Sequence, residues 1–325
     1  MGEIGFTTTI PVEIVIAAKK KPVDLNNLFI SSPRPQELVD AAEQEGYPRN
    51  TCGWIKGLYS VAVKRSLEAV IAVIQGDCSN TQALMETLQL KGINIIPFAY
   101  PFDRDRKTLE TQIFKLMDFF QVGIDDVLRV KARLDNIRRL CWELDSMTWQ
   151  DDLVSGLENH YYLVSSSDFN SDPFKYEKDL RNFIDKAKRR SPCKGQVRLA
   201  YIGVPPIFTD LYEVLESMGA RVVFNEVQRQ FSMPFKTGDI FEQYLNYTYP
   251  YGAFARLEDI QEQLEQRMVD GVIHYTQTFC YRQIEDLIYR EKIKLPFLTL
   301  EGDKPGKVDA RTRMRLEAFV NMLKA

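Results

Sequence analysis

The run Ala69-Val-Ile-Ala-Val-Ile-Gln-Gly-Asp-Cys78-Ser-Asn constrains the fold more than any other part of this chain. Its apolar stretch is uninterrupted, the pattern of a parallel strand buried on both faces. Gly76 and Asp77 end the strand, and the following Thr81-Gln-Ala-Leu-Met-Glu-Thr-Leu-Gln-Leu has helical periodicity. Strand, tight turn and helix form the unit of an open α/β sheet, which binds ligands at the carboxyl ends of its strands. Cys78 falls at that place, near a helix N-terminus whose dipole and free N–H groups favour a thiolate.

The same unit recurs. Residues 3–9 read as a strand, Pro11 opens a helix, and a second strand begins at Pro22. A helix is predicted over 36–44. The turn-rich residues 46–51 lead to Cys52 and an amphipathic helix from Gly53, and residues 93–101 form another buried strand. From Arg104 to about Arg190 the periodicity is helical (108–120, 125–147, 173–190), and the Lys and Arg residues there read as a solvated face. Strands beginning near 196, 221, 271 and 295 alternate with helices over 209–218, 256–268, 281–290 and 310–323. Residues 228–252 read as a long aromatic loop with Tyr244, Tyr247, Tyr249 and Tyr251, open as lid or interface. The expected fold class is α/β: two doubly wound, flavodoxin- or Rossmann-like parallel-sheet domains, 1–103 and 195–325, with a helical connector over 104–194.

A chain of 325 residues is long for one core, which agrees with two domains. Its net charge of −3 exerts no overall pull toward nucleic acid or a membrane surface. The apolar runs are too short for a spanning helix and the N-terminus lacks a signal-peptide pattern, so a cytoplasmic location is expected. Five Cys in a chain of this size argue against a disulfide framework, and with only two His, His160 and His274, any metal must be held by sulfur.

Cys52, Cys78 and Cys280 each lie in a turn directly before a helix-like segment, and for Cys78 and Cys280 the turn follows a buried strand. Facing domains can bring all three to one cleft. Three thiolates without imidazole suit an iron–sulfur cluster better than catalytic zinc. With 25 residues between Cys52 and Cys78 and 201 between Cys78 and Cys280, no local ligand motif is matched. Spacing alone leaves a cluster and ordinary buried thiols equally open. Cys141, within Arg138-Arg-Leu-Cys-Trp, reads as structural, and Cys193, before a strand, as a surface thiol. His274 reads as a satisfied core histidine and Lys56 as a surface lysine.

Phe6-Thr-Thr-Thr-Ile-Pro-Val-Glu-Ile-Val-Ile-Ala-Ala with Lys21-Pro-Val-Asp-Leu resembles the opening of the 2-hydroxyacyl-CoA dehydratase family, which includes the 2-hydroxyglutaryl-CoA dehydratase D-component and benzoyl-CoA reductase subunits. The Cys52 segment, Gly76-Asp-Cys78, and Thr278-Phe-Cys280 followed by Glu285 resemble its three cluster-ligand segments. Pro296-Phe-Leu-Thr-Leu-Glu-Gly-Asp303 and Arg311-Thr-Arg-Met-Arg-Leu-Glu-Ala-Phe319 resemble its C-terminal signature. The resemblance implies a [4Fe-4S] cluster held by Cys52, Cys78 and Cys280, with one iron open to a substrate oxygen. It also implies an acyl-CoA-like substrate, a homo- or heterodimer, and a separate ATP-dependent iron–sulfur activator that donates a low-potential electron. That electron makes a ketyl radical of the thioester carbonyl, and the 2-hydroxyl is then expelled. No Walker-type Gly-x4-Gly-Lys-Ser/Thr occurs here, consistent with ATP being used by the partner. Relatives with a double cubane need six thiolates, and five Cys favour a single one. Glu13 matches a position where the family places a carboxylate near the substrate, which makes it the candidate acid/base, and Thr8 and Thr9 are candidates to bond a substrate oxygen. The alternative role is a non-catalytic [4Fe-4S] electron-relay or structural subunit of a heteromeric enzyme.

Overall fold

The computed structural model describes residues 2–193 and 196–325. The junction expected between connector and second domain, at 194/195, lies outside the described residues. Eight strands form two sheets. The first holds β1 (Glu3–Phe6), β2 (Lys21–Asp24), β3 (Ala69–Gln75) and β4 (Ile95–Ala99) in the order β2-β1-β3-β4. The second holds β5 (Val197–Gly203), β6 (Ala220–Asn225), β7 (Gly271–Gln277) and β8 (Phe297–Gly302) in the matching order β6-β5-β7-β8. Every pairing is parallel, with Phe6 opposite Ile71 and Tyr201 opposite Ile273. Two parallel sheets flanked by helices match the doubly wound α/β reading. No helix among the described residues is long and apolar enough to cross a membrane.

In this order the chain turns outward in opposite directions from β1 and β3, and again from β5 and β7. Those two switch points open a crevice past the strand ends. The turns there are Thr7–Thr9, Gly76–Asn80, Val204–Pro206 and Thr278–Cys280 in sequence, so the topology alone aims Cys78 and Cys280 at crevices.

Residues 104–193 are helical as the periodicity predicts: Arg106–Phe120, Ile124–Trp149, Gly156–Ser165 and Pro173–Ala187. Their apolar stripes (Leu109, Ile113, Leu134, Leu144, Leu163, Leu180) share one core with β1, β3 and β4. Residues 228–252 differ from the expected loop. They carry the helix Ile240–Asn246 and the end of Glu226–Phe231, and all four tyrosines are buried in that same core. A long aromatic segment without periodicity resembles a lid in sequence. Here its rings fill a core that the first sheet cannot close by itself, and two of the hydroxyls donate to carbonyls, Tyr244 to Ile10 at 2.9 Å and Tyr251 to Tyr244 at 3.2 Å. A second core joins the helix Gly53–Lys64 to Leu199, Tyr201, Ile207 and Tyr275 of the second sheet's lobe, so apolar packing ties the lobes together.

Gly76 holds the turn after β3 with φ +92°, where a Cβ would sit 2.8 Å from that of Tyr100 and 2.9 Å from that of Pro250. Gly76→Ala is therefore expected to cost about 1–3 kcal/mol in strain alone and to displace Cys78. Thermal melting, with thiol accessibility at Cys78, checks this; an unchanged melting temperature overturns it.

Candidate active site

A cleft partly open to solvent lies between the two switch points. Cys52, Cys78 and Cys280 all line it. Cys78 follows β3 and Cys280 follows β7 on the opposing lobe. Cys52 precedes the helix Gly53–Lys64, whose first residue lies so close to the second lobe that a Cβ on Gly53 would be 2.9 Å from the Asp303 carbonyl oxygen. The Tyr281 hydroxyl closes the gap from the other side, donating to the Asp77 carbonyl at 2.8 Å.

The three thiols share an environment. Cys52 accepts from the backbone N–H groups of Trp54 and Ile55, Cys78 from Asn80, and Cys280 from Arg282. The helix-terminus argument predicts thiolates, but burial raises all three thiols, Cys52 to about 12. Cys280 raises Cys52, and both raise Cys78, so the sulfurs are near enough to feel one another's charge. One or two amide donors per thiol do not offset desolvation. The segment after Cys280 also differs from the α-helix expected: it is a 3₁₀ turn, Tyr281–Glu285, before the helix Asp286–Lys292. Phe279 sits at φ +64°, strained backbone for a large side chain, directly beside the thiol.

These residues fit a cluster. Cationic iron would offset the burial that holds the thiols protonated. Trp54, another lining residue, keeps its indole N–H buried with no partner among the described residues, a donor available to sulfide or ligand. No three His, Cys, Asp or Glu side chains among the described residues converge as a single-ion site. A lone tetrahedral ion needs sulfurs about 3.8 Å apart, given bonds of about 2.3 Å, whereas a four-iron core holds its terminal sulfurs farther apart.

Thr8 lines the cleft together with Thr7, whose hydroxyl accepts from the Val73 N–H at 3.0 Å. Thr9 is buried beyond it, its carbonyl accepting from Tyr100 at 2.8 Å. Glu13 does not line the cleft. It is fully buried in the first turn of the helix after β1, 2.7 Å from Arg138, and accepts from Gln243 at 2.9 Å and Tyr244 at 2.8 Å. Burial favours its neutral form, but Arg138 and the hydrogen bonds prevail and hold it below the usual carboxylate range. Lys56 differs from the surface lysine expected: it is buried and held by Glu43 at 2.7 Å and the Arg49 carbonyl at 3.2 Å. His274 is a core residue bonded to Asp286 at 2.7 Å, Cys141 is buried against Tyr176, and Cys193 is exposed, each as read from sequence.

Three further carboxyls lie in or beside the cleft. Asp77 is pushed up to about 7 by burial, against the pull of the buried Arg282. Asp24 caps the helix Leu25–Ile30, bonding the Asn26 N–H at 2.9 Å and the Ser167 hydroxyl at 2.6 Å. Beside it Asp168 accepts from the Asp24 N–H at 2.9 Å. Both are raised by burial, Asp168 to about 7, with the Asp24 charge adding to the rise. The unfolded chain ionises near 4, so the folded state binds the extra proton between about pH 4 and 7. Stability then falls with rising pH, by roughly 1.4 kcal/mol per unit for each extra proton. Asp24→Asn, which keeps the cap and can donate to Ser167, is expected to flatten that slope in cluster-free protein. Thermal melts from pH 5 to 8 check it; an undiminished slope removes the pair as its source.

No curated protein matches the chain. The model of the 2-hydroxyglutaryl-CoA dehydratase D-component matches residues 7–323, nearly the whole length and both lobes of the cleft, and the chain belongs to that family.

Proposed function

We propose that the chain is the cluster-bearing component of a 2-hydroxyacyl-CoA dehydratase. In this reading it holds a [4Fe-4S] cluster through Cys52, Cys78 and Cys280, and receives an electron from a separate ATP-dependent iron–sulfur activator. The observation that carries the reading is one cleft lined by three thiols from two lobes, Cys78 and Cys280 at paired switch points, in a chain of this family. Bound there, the cluster would supply an electron and a Lewis-acidic corner for the acyl carbonyl.

The protein's own groups supply the rest. The amides after each cysteine donate toward sulfur, the buried Trp54 N–H has no partner among the described residues and is available to a bound group, and Arg282 places a buried cation beside Asp77. Asp77, lining the cleft beside Arg282, can accept or return a proton at its carboxyl oxygen, which suits removal of the substrate's β-hydrogen and protonation of the departing hydroxyl. Thr8 offers a hydroxyl to a substrate oxygen from the same wall. The apolar lining, Ile30, Leu58, Val164 and Phe231, excludes water from a reactive radical.

Anaerobically purified protein tests the reading through its iron content and EPR spectrum, followed by turnover of 2-hydroxyglutaryl-CoA with activator and ATP. About four irons per chain and a g-value change on adding thioester are expected. Iron-free protein overturns it. A loaded chain that never turns over alone would instead be an electron-relay subunit.

A further inference from the structure

His160 belongs to no motif, yet it is the one histidine that lines the cleft. It is carried by the helix Gly156–Ser165, whose start is fixed by a capping box between Ser155 and Glu158. Its ring packs on Tyr212 at 5.0 Å between centroids, and its Nδ1 meets the Gln228 side-chain amide nitrogen at 3.0 Å. Its Nε2 has no protein partner among the described residues.

The direction of the Gln228 contact decides which nitrogen carries the proton, and a buried chain of hydrogen bonds decides that direction. It begins at Asp145, an anion 3.0 Å from an Arg267 nitrogen, which can only accept. The Asn159 amide therefore donates to Asp145 at 3.0 Å, leaving its oxygen to accept from Asn225 at 2.8 Å. The Asn225 amide also faces the Gly156 carbonyl, so its oxygen is turned to accept the Tyr212 hydroxyl proton at 2.8 Å. Tyr212, its proton spent, accepts from the Gln228 amide at 3.3 Å. That same amide nitrogen reaches His160 Nδ1, which must be the acceptor. A proton on Nδ1 would face another donor. Burial without any opposing charge acts in the same direction and lowers the ring's pKa to about 4.

We propose that His160, neutral with its proton fixed on Nε2, is the hydrogen-bond donor to an acyl oxygen of the thioester bound in the cleft. This rests on the dehydratase reading. A neutral imidazole suits the role: it stabilises charge growing on oxygen without giving up its proton and without adding a cation beside the cluster site.

Because the chain has only two histidines, ¹⁵N-imidazole NMR of the full protein, prepared anaerobically, reads the tautomer directly. His160→Phe, which keeps a ring against Tyr212, assigns the signals. His160 is expected to show the Nε2–H tautomer with no titration between about pH 5.5 and 8.5, where a free imidazole titrates. Adding 2-hydroxyglutaryl-CoA should shift its Nε2 resonance, and His160→Phe should weaken thioester binding by about ten-fold with iron content unchanged. An Nδ1–H tautomer, titration near 6.5, or an unmoved Nε2 signal with thioester bound overturns the proposal. Wild-type protein that holds no iron and binds no thioester overturns the parent reading instead. If His160→Phe fails to fold, the wild-type tautomer and its response to thioester still decide.

Discussion

Cys280→Ala should leave a folded chain that cannot keep its iron, with content falling from about four atoms per chain to below one. The thiol sits on the second lobe, part-exposed, with backbone donation from Arg282 as its local tie. Little packing is lost with it. Cys52 and Cys78 both reach the cleft from the first lobe, so without Cys280 nothing on the far wall grips the core. Cys141→Ala is the matched control. That sulfur is buried against Tyr176, so its loss should lower the melting temperature and spare the iron. The thiols are raised by burial and must lose protons to bind iron, so loading should also improve as pH rises above neutrality. Iron analysis, visible absorbance and melting curves on the two variants decide the matter. Wild-type iron in Cys280→Ala would remove this sulfur from the ligand set.

Much of this was legible in the chain itself. The uninterrupted apolar run before Gly76-Asp77 and the more polar Gly271-Val-Ile-His-Tyr-Thr-Gln before Thr278-Phe279 both read as strands with their turns, and the doubly wound rule carries them to one crevice. The switch-point geometry adds that both sheets share one order, so the two lobes offer equivalent mouths. What could not be read is set by tertiary packing. Nothing in the sequence of 228–252 says that its tyrosines fill the first lobe's core, because aromatic residues without periodicity fit an exposed loop equally well. The 3₁₀ turn after Cys280 has the same composition as an α-helix start. Asp77, Asp168 and His160 owe their shifted pKa values to burial, which no local motif encodes. One signal was present: Ser155-x-x-Glu158 is a capping box that marks the helix carrying His160.

Arg138→Met should destabilise the protein by about 3–5 kcal/mol at pH 7, on the order of 10 °C in melting temperature. Arg138 and Glu13 are both removed from water, 2.7 Å apart, with side-chain exposures of 2% and 0%. Methionine keeps much of the volume but leaves Glu13 with only Gln243 and Tyr244 as donors. The sign of the pH dependence follows. In the wild type Arg138 holds the Glu13 carboxyl below its ordinary 4.5, so the pair's contribution is present above that value and is lost as pH falls through the folded value. In Arg138→Met burial, the largest influence on Glu13, is opposed only by hydrogen bonds and raises that carboxyl, so the variant's deficit should be largest near neutrality and shrink toward pH 4.5. Glu13→Gln combined with Arg138→Met should recover most of the loss, since the stranded charge is gone. The same pair separates two roles for Glu13. As a structural anion, Glu13→Gln changes the melting temperature and leaves thioester affinity and turnover per loaded cluster in place. Turnover abolished at wild-type stability would return Glu13 to the chemistry, although it does not line the cleft.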